Sequence, residues 1–282
     1  MAIDLELQGV HVLVTGASGG IGLETVKLFL GATRAKVTAH YNTNPSTLRS
    51  MESELGSSSS NLFTAQAQLT SEPSVKSLFQ SAQSHFNDLP VQVLIVNHGI
   101  WPPRDTCVWE MELDQWKETI DVNLTASFLV AKYFLKALAD LGDGQNEVKE
   151  KANVVFVGSS AGRFGEKGHA DYAASKSGMM HGLTLTLKNE IVKIAPRGRV
   201  NCVAPGWVRT PLAEEALNDP EVVYRALATT PLKKIGTTYD TAVQITLLAS
   251  SKVSGHVSGQ IVNVAGGMEG RLLNKPEDIN TI

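Results

Sequence analysis

Short, continuously apolar runs alternate with longer amphipathic stretches along almost the whole chain, and this order constrains the fold more than any other feature. Seven runs rich in Val, Ile and Leu are strand candidates, at residues 10–14, 36–40, 62–67, 93–97, 154–157, 200–204 and 260–264. Six stretches with helical spacing lie among them, at residues 21–30, 46–55, 74–86, 113–141, 171–194 and 239–248. Repeated strand–helix–strand units require right-handed crossovers, and strands without polar alternation are buried on both faces. The sequence therefore predicts an α/β fold: a doubly wound, parallel, seven-stranded sheet with helices on both faces, in a single domain over residues 1–282.

The composition excludes several classes of partner. The 282 residues carry a formal net charge of −3 without a strong excess in either half, so no nucleic acid or anionic membrane surface is expected as a partner. The longest apolar runs are far shorter than a membrane span, and the N-terminus lacks the basic and apolar regions of a signal peptide. Cys107 and Cys202 lie in unrelated contexts, which predicts neither a disulfide nor a thiolate metal site. A cytoplasmic protein is expected.

A glycine-rich segment, Thr-Gly-Ala-Ser-Gly-Gly-Ile-Gly at residues 15–22, joins the first strand candidate to the first helix candidate. Gly16 can adopt a tight turn, Gly20 lets the backbone approach phosphate oxygens, and Gly22 permits close contact between helix and sheet. A helix that starts in such a loop presents its N-terminal amides to an anion. The segment predicts a dinucleotide site.

Tyr172 and Lys176 are one helical turn apart and share a helix face. An ammonium beside a phenol favours the phenolate, which predicts a pKa below the usual value of about 10 and a usable proton donor or acceptor. Ser159 lies thirteen residues upstream at a strand end, and Ser160 is the competing serine. A tyrosine–lysine pair alone is usually a solvent-exposed pair on a helix surface. Together with the serine and the glycine loop, it predicts hydride transfer at a C–O centre.

From about residue 9 to residue 267, the order of these motifs resembles the short-chain dehydrogenase/reductase family, whose fold is Rossmann-like. The motifs are the G-x-x-x-G-x-G loop after Thr15, Asn97-His98-Gly99, Asn123 within a long helix, Ser159, Tyr172 with Lys176, and Pro205-Gly206-Trp207-Val208-Arg209-Thr210. The resemblance implies a reaction between nicotinamide and a ketone or secondary alcohol.

The resemblance also implies roles for four residues. Tyr172 is the general acid or base, and Lys176 holds the nicotinamide ribose and stabilises phenolate character. Ser159 hydrogen-bonds the reacting oxygen. Asn123 kinks its helix and holds a water that links Lys176 to solvent. Taken alone, Asn123 could be only a buried asparagine bonded to the backbone of a neighbouring strand, and that structural role can exist beside the water relay.

The cofactor contacts that the resemblance implies extend along the chain. They are Gly16, Ser18, Gly19, Gly20, Ile21, Gly22, Tyr41, Asn42, Thr43, Gln68, Leu69, Asn97, Gly99, Tyr172, Lys176, Pro205, Gly206, Val208 and Thr210. Gln68-Leu69 stands where the family usually has Asp-Val beside the adenine, and a glutamine can still bond there.

The end of the second strand bears on the choice between NADP and NAD. An NAD enzyme needs a carboxylate there for the ribose 2′-hydroxyl, and that carboxylate repels a 2′-phosphate. Tyr41 occupies the position, and Asn42, Thr43 and Ser18 can donate to phosphate oxygens. Gly19 stands where many NADP-preferring relatives carry Arg or Lys. The sequence favours NADP, with NAD as the alternative.

Three histidines lie close to these motifs. His98 replaces the alanine of the family's Asn-Ala-Gly, so either its imidazole is a satisfied structural group or it points toward the cleft. His169 and His181 lack the spacing of a metal pair, and no metal is predicted.

The loops expected around the nicotinamide carry apolar residues: Ile100, Trp101, Phe164, Trp207 and Leu212. They either line a pocket for a substrate with a hydrophobic body, which could be cyclic, or serve as packing. Residues 205–236 follow a strand end and form a candidate substrate lid.

Three other segments carry weaker signals. Residues 56–60 and 140–151 are polar and predict solvated loops, the first of them flexible. Residues 268–282 form a C-terminal tail, of which 271–282 either reach across an interface or are disordered. By resemblance, the long helices 113–141 and 171–194 form dimer seams, which implies a homodimer or homotetramer.

Three functions remain open at this point. The first is an NADP(H)-dependent reductase or dehydrogenase, and the second a dehydratase or epimerase that retains its nucleotide. The third is a nucleotide-sensing protein without turnover. Relatives of the second kind usually carry a differently spaced glycine loop, and those of the third tend to lose the tyrosine–lysine pair that this chain retains.

Overall fold

The computed structural model describes residues 4–142 and 145–272, with the backbone alone at 57–59. Its centre is one parallel sheet of seven strands in the order β3-β2-β1-β4-β5-β6-β7. The strands are β1 His11–Val14, β2 Lys36–Tyr41, β3 Leu62–Gln66, β4 Val93–Val96, β5 Asn153–Val157, β6 Arg199–Pro205 and β7 Ile261–Val264. Each predicted strand is present, with ends that differ from the prediction by at most one residue. The doubly wound, Rossmann-like α/β fold is confirmed.

Helices cover both faces of this sheet. In chain order they are α1 Gly20–Gly31, α2 Ser46–Leu55, α3 Glu72–His85, α4 Leu113–Ala139, α5 Asn146–Glu150, α6 Ala161–Phe164, α7 at 170–190, α8 Glu214–Leu217, α9 Pro220–Ala228 and α10 Thr238–Ala249. Successive strand residues point to opposite faces: Leu13 packs into one apolar core, and Val12 and Val14 into the other. Burial on both faces explains why the strand sequences are continuously apolar.

The two longest helices are not regular α-helices throughout. A π-helical segment, Asp121–Thr125, interrupts α4, and a second one, Gly178–Leu183, interrupts α7. The prediction for residues 171–194 extends too far, because α7 ends at residue 190 and a 3₁₀ turn, Ile191–Lys193, follows. π segments inside α-helices are frequent at functional sites. The first of these two contains Asn123, and the second begins two residues after Lys176.

The polar loops contain short helices that the sequence reading omitted. Residues 56–60 form most of a 3₁₀ helix, Gly56–Asn61, instead of an irregular connection, and α5 lies within 140–151. The segment 205–236 contains α8 and α9. The start of α9 had a readable signal: Asp219 precedes Pro220 and its carboxylate accepts a hydrogen bond from the Glu221 N–H at 2.8 Å.

Within the described residues, α4 reaches the length and mean hydropathy of a membrane span, with 27 residues and a value of 1.2. Val130, Phe134 and Leu138 from this helix are buried in the core against the sheet. Core helices of globular proteins meet the same criteria of length and composition.

Candidate active site

A cleft of about 440 Å³ opens at the carboxyl ends of the strands, near the point where the strand order reverses between β1 and β4. Open parallel sheets bind ligands at this edge, and the volume is in the range of small-molecule sites. Fifteen of the predicted cofactor residues line it: Gly16, Ser18, Gly19, Gly20, Ile21, Asn42, Thr43, Asn97, Gly99, Tyr172, Lys176, Pro205, Gly206, Val208 and Thr210.

The glycine loop brings the N-terminus of α1 to this cleft. Gly16 has a φ of +62°, and a side chain on it would lie 2.8 Å from the His98 Cα. Gly19, the N-cap of α1, provides no side-chain cap, and the first turn contains no acidic residue. The exposed amides of such a helix end favour an anion. The loop therefore fits the pyrophosphate of a dinucleotide.

Gly22 lies behind the loop and does not line the cleft. A Cβ at this position would be 2.3 Å from the Gly16 carbonyl oxygen and 2.7 Å from the Asn97 Nδ2. We expect Gly22→Ala to lower the free energy of unfolding by about 1–3 kcal/mol, because the loop must move, and to weaken nucleotide binding. Gly31→Ala is the control in the same helix, where a Cβ meets nothing within 4 Å. Urea unfolding and nucleotide titration measure both effects, and equal behaviour of the two variants would contradict the steric argument.

Two buried histidines hold the glycine loop. The His40 Nδ1 accepts a hydrogen bond from the Gly16 N–H at 3.1 Å, and its Nε2 lies 2.9 Å from the Ala67 carbonyl oxygen. The His98 Nδ1 lies 2.8 Å from the Thr15 Oγ1. Burial lowers the pKa of His40 to about 4 and that of His98 to about 3. Both imidazoles are neutral near pH 7. His98 is hydrogen-bonded, as its structural interpretation expects, and it also lines the cleft.

Tyr172, Lys176 and Ser159 converge on the inner wall of the cleft. The Ser159 hydroxyl accepts from the Ala161 N–H at 3.1 Å, and its side chain interacts with the Tyr172 phenol closely enough to lower the pKa of that phenol. The Lys176 Nζ lies 5.7 Å from the centre of the Tyr172 ring and donates to the Val157 carbonyl oxygen at 2.9 Å. A hydroxyl, a phenol and an amine therefore face one space next to the nucleotide loop.

The prediction that Lys176 lowers the pKa of Tyr172 toward neutrality is wrong for this structure. Burial raises the pKa of Tyr172 to about 12; the hydrogen bond from Ser159 opposes this shift, and the charge of Glu166 adds to it. Burial also lowers the pKa of Lys176 to about 8. The amine is directed to the Val157 carbonyl, so desolvation of the phenol outweighs the attraction that the helical spacing promised.

Asn123 lies in the π segment of α4, is fully buried and does not line the cleft. Its Oδ1 accepts from the Ile100 N–H at 2.8 Å, and its Nδ2 donates to the Ile100 carbonyl at 3.0 Å and to the Ser175 Oγ at 3.2 Å. The amide thus joins the loop after β4 to the helix that carries Tyr172 and Lys176. The water relay stays a prediction beside this structural role.

Tyr41, Gln68 and Leu69 also lie outside the cleft wall. The alternation of side chains along a strand turns Tyr41 toward the core, between cleft-lining His40 and Asn42. The Leu69 side chain is buried in the core and that of Gln68 is exposed. The contacts predicted for these residues stay predictions.

Four of the five apolar candidates, Ile100, Trp101, Trp207 and Leu212, line the cleft. Phe164 does not: the guanidinium groups of Arg163 and Arg271 lie over its ring. Trp101 meets Tyr172 edge to face, with 4.6 Å between ring centres. One wall beside the phenol is therefore aromatic.

The sequence reading missed the groups that position this wall. The buried Asp171 carboxylate accepts from the Tyr172 N–H at 2.8 Å and from the Thr119 Oγ1 at 2.9 Å, which fixes the start of α7. His169 stacks against Trp101 with ring centres 3.8 Å apart, and its Nε2 lies 2.9 Å from the Asp105 Oδ1. The acidic residue next to Tyr172 was a readable signal, but the Asp105–His169 contact spans 64 residues and had none.

Comparisons with known proteins agree with this geometry. A family model of short chain dehydrogenases matches residues 10–221. The chain is 33% identical to the 3-oxoacyl-[acyl-carrier-protein] reductase of Synechocystis sp. over 91% of its own length and 95% of the relative's. It is 31% identical to the corresponding reductase of Salmonella typhimurium, over 94% and 99% of the two chains. The crystal structure of a short-chain dehydrogenase/reductase (glucose/ribitol dehydrogenase) from Brucella melitensis superposes with a TM-score of 0.81 at 28% identity, covering 95% of this chain and 99% of the other.

The family match covers most of the chain, the relatives align over nearly their full lengths, and the serine, tyrosine and lysine meet in one cleft at the carboxyl edge of a parallel sheet. The chain belongs to the short-chain dehydrogenase/reductase family, whose members are nucleotide-binding oxidoreductases.

Proposed function

We propose that the protein is an NADP(H)-dependent reductase of ketones, with Tyr172 as the general acid. One observation carries the proposal: the hydroxyl of Tyr172, the side chain of Ser159 and the Lys176 amine share a cleft with the uncapped N-terminus of α1. A proton donor thus lies beside an anion site that fits a dinucleotide.

The nicotinamide cofactor supplies the hydride when it is bound. Tyr172 donates its phenolic proton to the carbonyl oxygen. Because burial raises the pKa of Tyr172 to about 12, the phenol is protonated at neutral pH, which is the state that reduction requires. Ser159 hydrogen-bonds the reacting oxygen, and Lys176 provides a positive charge near the phenolate that forms.

The substrate is proposed to be a ketone with a hydrophobic body. The apolar side chains of Ile100, Trp101 and Trp207 line the cleft next to Tyr172 and support this choice. The relatives in Synechocystis and Salmonella are named as reductases of 3-oxoacyl groups, which are ketones on an alkyl chain. Cyclic ketones fit the same wall and stay in the proposal.

NADP is the proposed cofactor. Just after β2 the described residues that line the cleft are Asn42, Thr43 and Asn44, which offer amide and hydroxyl donors and no carboxylate. Because an NAD enzyme needs a carboxylate at this strand end, this composition supports a 2′-phosphate there.

The proposal predicts that the protein reduces at least some members of a panel of 3-oxoacyl thioesters and cyclic ketones. The absorbance of NADPH measures its consumption, and kcat/KM should be higher with NADPH than with NADH. Asn42→Asp should reduce kcat/KM for NADPH by about tenfold or more, because like charges in close contact cost over 1 kcal/mol. Asn189→Asp, an equal change on the exposed face of α7, is the control and should change nothing. A preference for NADH in the wild type would refute the cofactor choice, and no turnover of any ketone would refute the reductase.

Two further expectations stay within this proposal. A homodimer or homotetramer is supported by exposed apolar side chains on the long helices, namely Trp116, Phe128 and Leu185. A cytoplasmic location is proposed from the kinship with the acyl-carrier-protein reductases.

A further inference from the structure

The end of the described chain returns to the active-site cleft. Arg271 and Glu166 both line it, with side chains that are 13% and 21% exposed. The Arg271 Nε donates to the Glu166 Oε2 at 2.8 Å, and its Nη2 donates to the Ser160 Oγ at 3.0 Å. At residue 271 the chain therefore contacts its own cleft, and residues 273–282 of the predicted tail lie outside the described part.

The segment that carries Arg271 is fixed in place. After β7 the chain turns at Gly266 and Gly267, both with positive φ, and Met268 is buried. The Leu232 N–H donates to the Gly266 carbonyl at 3.1 Å, and the Glu269 N–H donates to the Thr229 carbonyl at 3.3 Å. These backbone bonds tie the segment to residues 229–232 at the end of the candidate lid. Arg271 thus reaches the cleft from an anchored backbone.

Glu166 is the one carboxylate among the described residues that line the cleft. It precedes α7, the helix of Tyr172, and its negative charge opposes ionisation of the phenol. Its cationic partner, Arg271, carries no other ion pair within the described part of the chain. The charge that Tyr172 experiences from Glu166 therefore depends on whether Arg271 is in place.

The other charged groups around Tyr172 have partners of their own. Lys176 donates to the Val157 carbonyl, and the Asp171 carboxylate accepts from Gln115, Thr119 and the Tyr172 N–H. His169 and Asp105 are paired with each other at 2.9 Å, and His169 contacts Trp101, whose ring also meets that of Tyr172. Of the charged pairs near the phenol, the Glu166–Arg271 pair is the one whose two members both line the cleft.

We propose that Glu166 and Arg271 are positioning residues that set the proton affinity of Tyr172, with Arg271 offsetting the charge of Glu166. The inference rests on the proposed function, because it assigns Tyr172 the proton transfer. Through this pair, the segment after β7 changes the proton affinity of the Tyr172 phenol on α7. Neither Glu166 nor Arg271 needs to touch the reacting oxygen.

The test is alcohol oxidation at a fixed pH below the pKa of Tyr172, where kcat/KM follows the phenolate fraction. Glu166→Gln should raise kcat/KM about 3- to 10-fold and Arg271→Gln should lower it by a similar factor, which corresponds to shifts of about half to one pH unit. The double variant should resemble Glu166→Gln, since Arg271 then has no carboxylate to offset. Lys252→Gln, which breaks an ion pair with Glu6 of 2.9 Å on another surface, should leave the rate unchanged.

A titration without substrate separates this inference from the proposed function. Tyrosinate absorbance is followed from about pH 9 to about pH 12, a range that includes the onset for a phenol whose pKa is about 12, and the curve of the corresponding Tyr172→Phe protein is subtracted. The onset should move to lower pH in Glu166→Gln and to higher pH in Arg271→Gln. The inference would be refuted if the onset of tyrosinate absorbance moved in the same direction in both variants. It would also be refuted if neither onset moved and only the KM for the substrate changed, even if ketone reduction is found. Opposite shifts in a protein without turnover would support the inference and refute the function.

Discussion

Tyr172→Phe is expected to lower kcat for ketone reduction by about 10²–10⁴-fold while the dissociation constant of NADPH stays within a few-fold of the wild type. The change removes the phenolic hydroxyl and therefore the proton donor. A rate factor of about 10²–10⁴ is what a positioned general acid typically contributes. The ring remains, so its edge-to-face contact with Trp101 at 4.6 Å is preserved and the cleft keeps its shape. Absorbance of NADPH measures turnover, and a fluorescence titration measures binding.

Tyr239→Phe is the control for this variant. Tyr239 is 55% exposed on α10, and loss of its hydroxyl should alter neither quantity. Wild-type turnover in Tyr172→Phe would show that another group is the acid. A wild-type protein that binds the nucleotide but turns over no carbonyl would instead favour the nucleotide-sensing alternative.

The second large effect is expected in acid. His11, His40 and His98 are buried, and burial lowers the pKa of the first two to about 4 and that of the third to about 3. In the unfolded chain each titrates near pH 6.5, so the unfolded state binds more protons below that pH. Their contribution to stability is complete above about pH 6.5 and is lost as the pH falls toward 4.

The free energy of unfolding should therefore fall by about 4 kcal/mol per pH unit in this window, at about 1.4 kcal/mol per group. Against a total of about 5–15 kcal/mol for ordinary domains, this loss should bring the protein close to unfolding near pH 5. Urea unfolding between pH 7.5 and pH 5 measures the slope.

Two variants test whether the buried histidines cause this pH dependence of the free energy of unfolding. His98→Ala should reduce it by about one third, because one of the three groups no longer titrates. His181→Ala, an exposed position on α7, should leave the slope unchanged. A wild-type slope close to zero would show that the three rings are not held neutral in the folded state.

The sequence predicted the fold well because parallel strands buried on both faces leave an unambiguous pattern. The glycine loop and the tyrosine–lysine pair were predictable for a similar reason, since their spacing is local. What escaped prediction depends on long-range contacts. The Glu166–Arg271 bond spans 105 residues, and the His40 contact to Gly16 spans 24.

The electrostatics of Tyr172 escaped prediction on other grounds. Helical spacing indicated that Lys176 shares a face with the phenol, and it does, yet spacing carries no information on desolvation. The residues that surround the phenol include Trp101, whose ring meets that of Tyr172, and Ser159, and they come from separate loops. The π segments were equally unreadable, because a single extra residue in a turn leaves the apolar periodicity nearly intact.

The parallel sheet places the residues that line the cleft and a set of stabilising contacts at its two opposite edges. Because all strands run in one direction, the cleft occupies their carboxyl edge, and their amino ends meet at the opposite edge. There Arg199, the first residue of β6, donates to the carbonyls of Leu248 and Ala249 at the end of α10 and to that of Ser254 in the turn that follows. Energetic effects of distant sites are usually additive. Substitutions that raise thermal stability at the amino edge of the sheet can therefore be combined with substitutions in the cleft that change substrate specificity, with little effect of one set on the other.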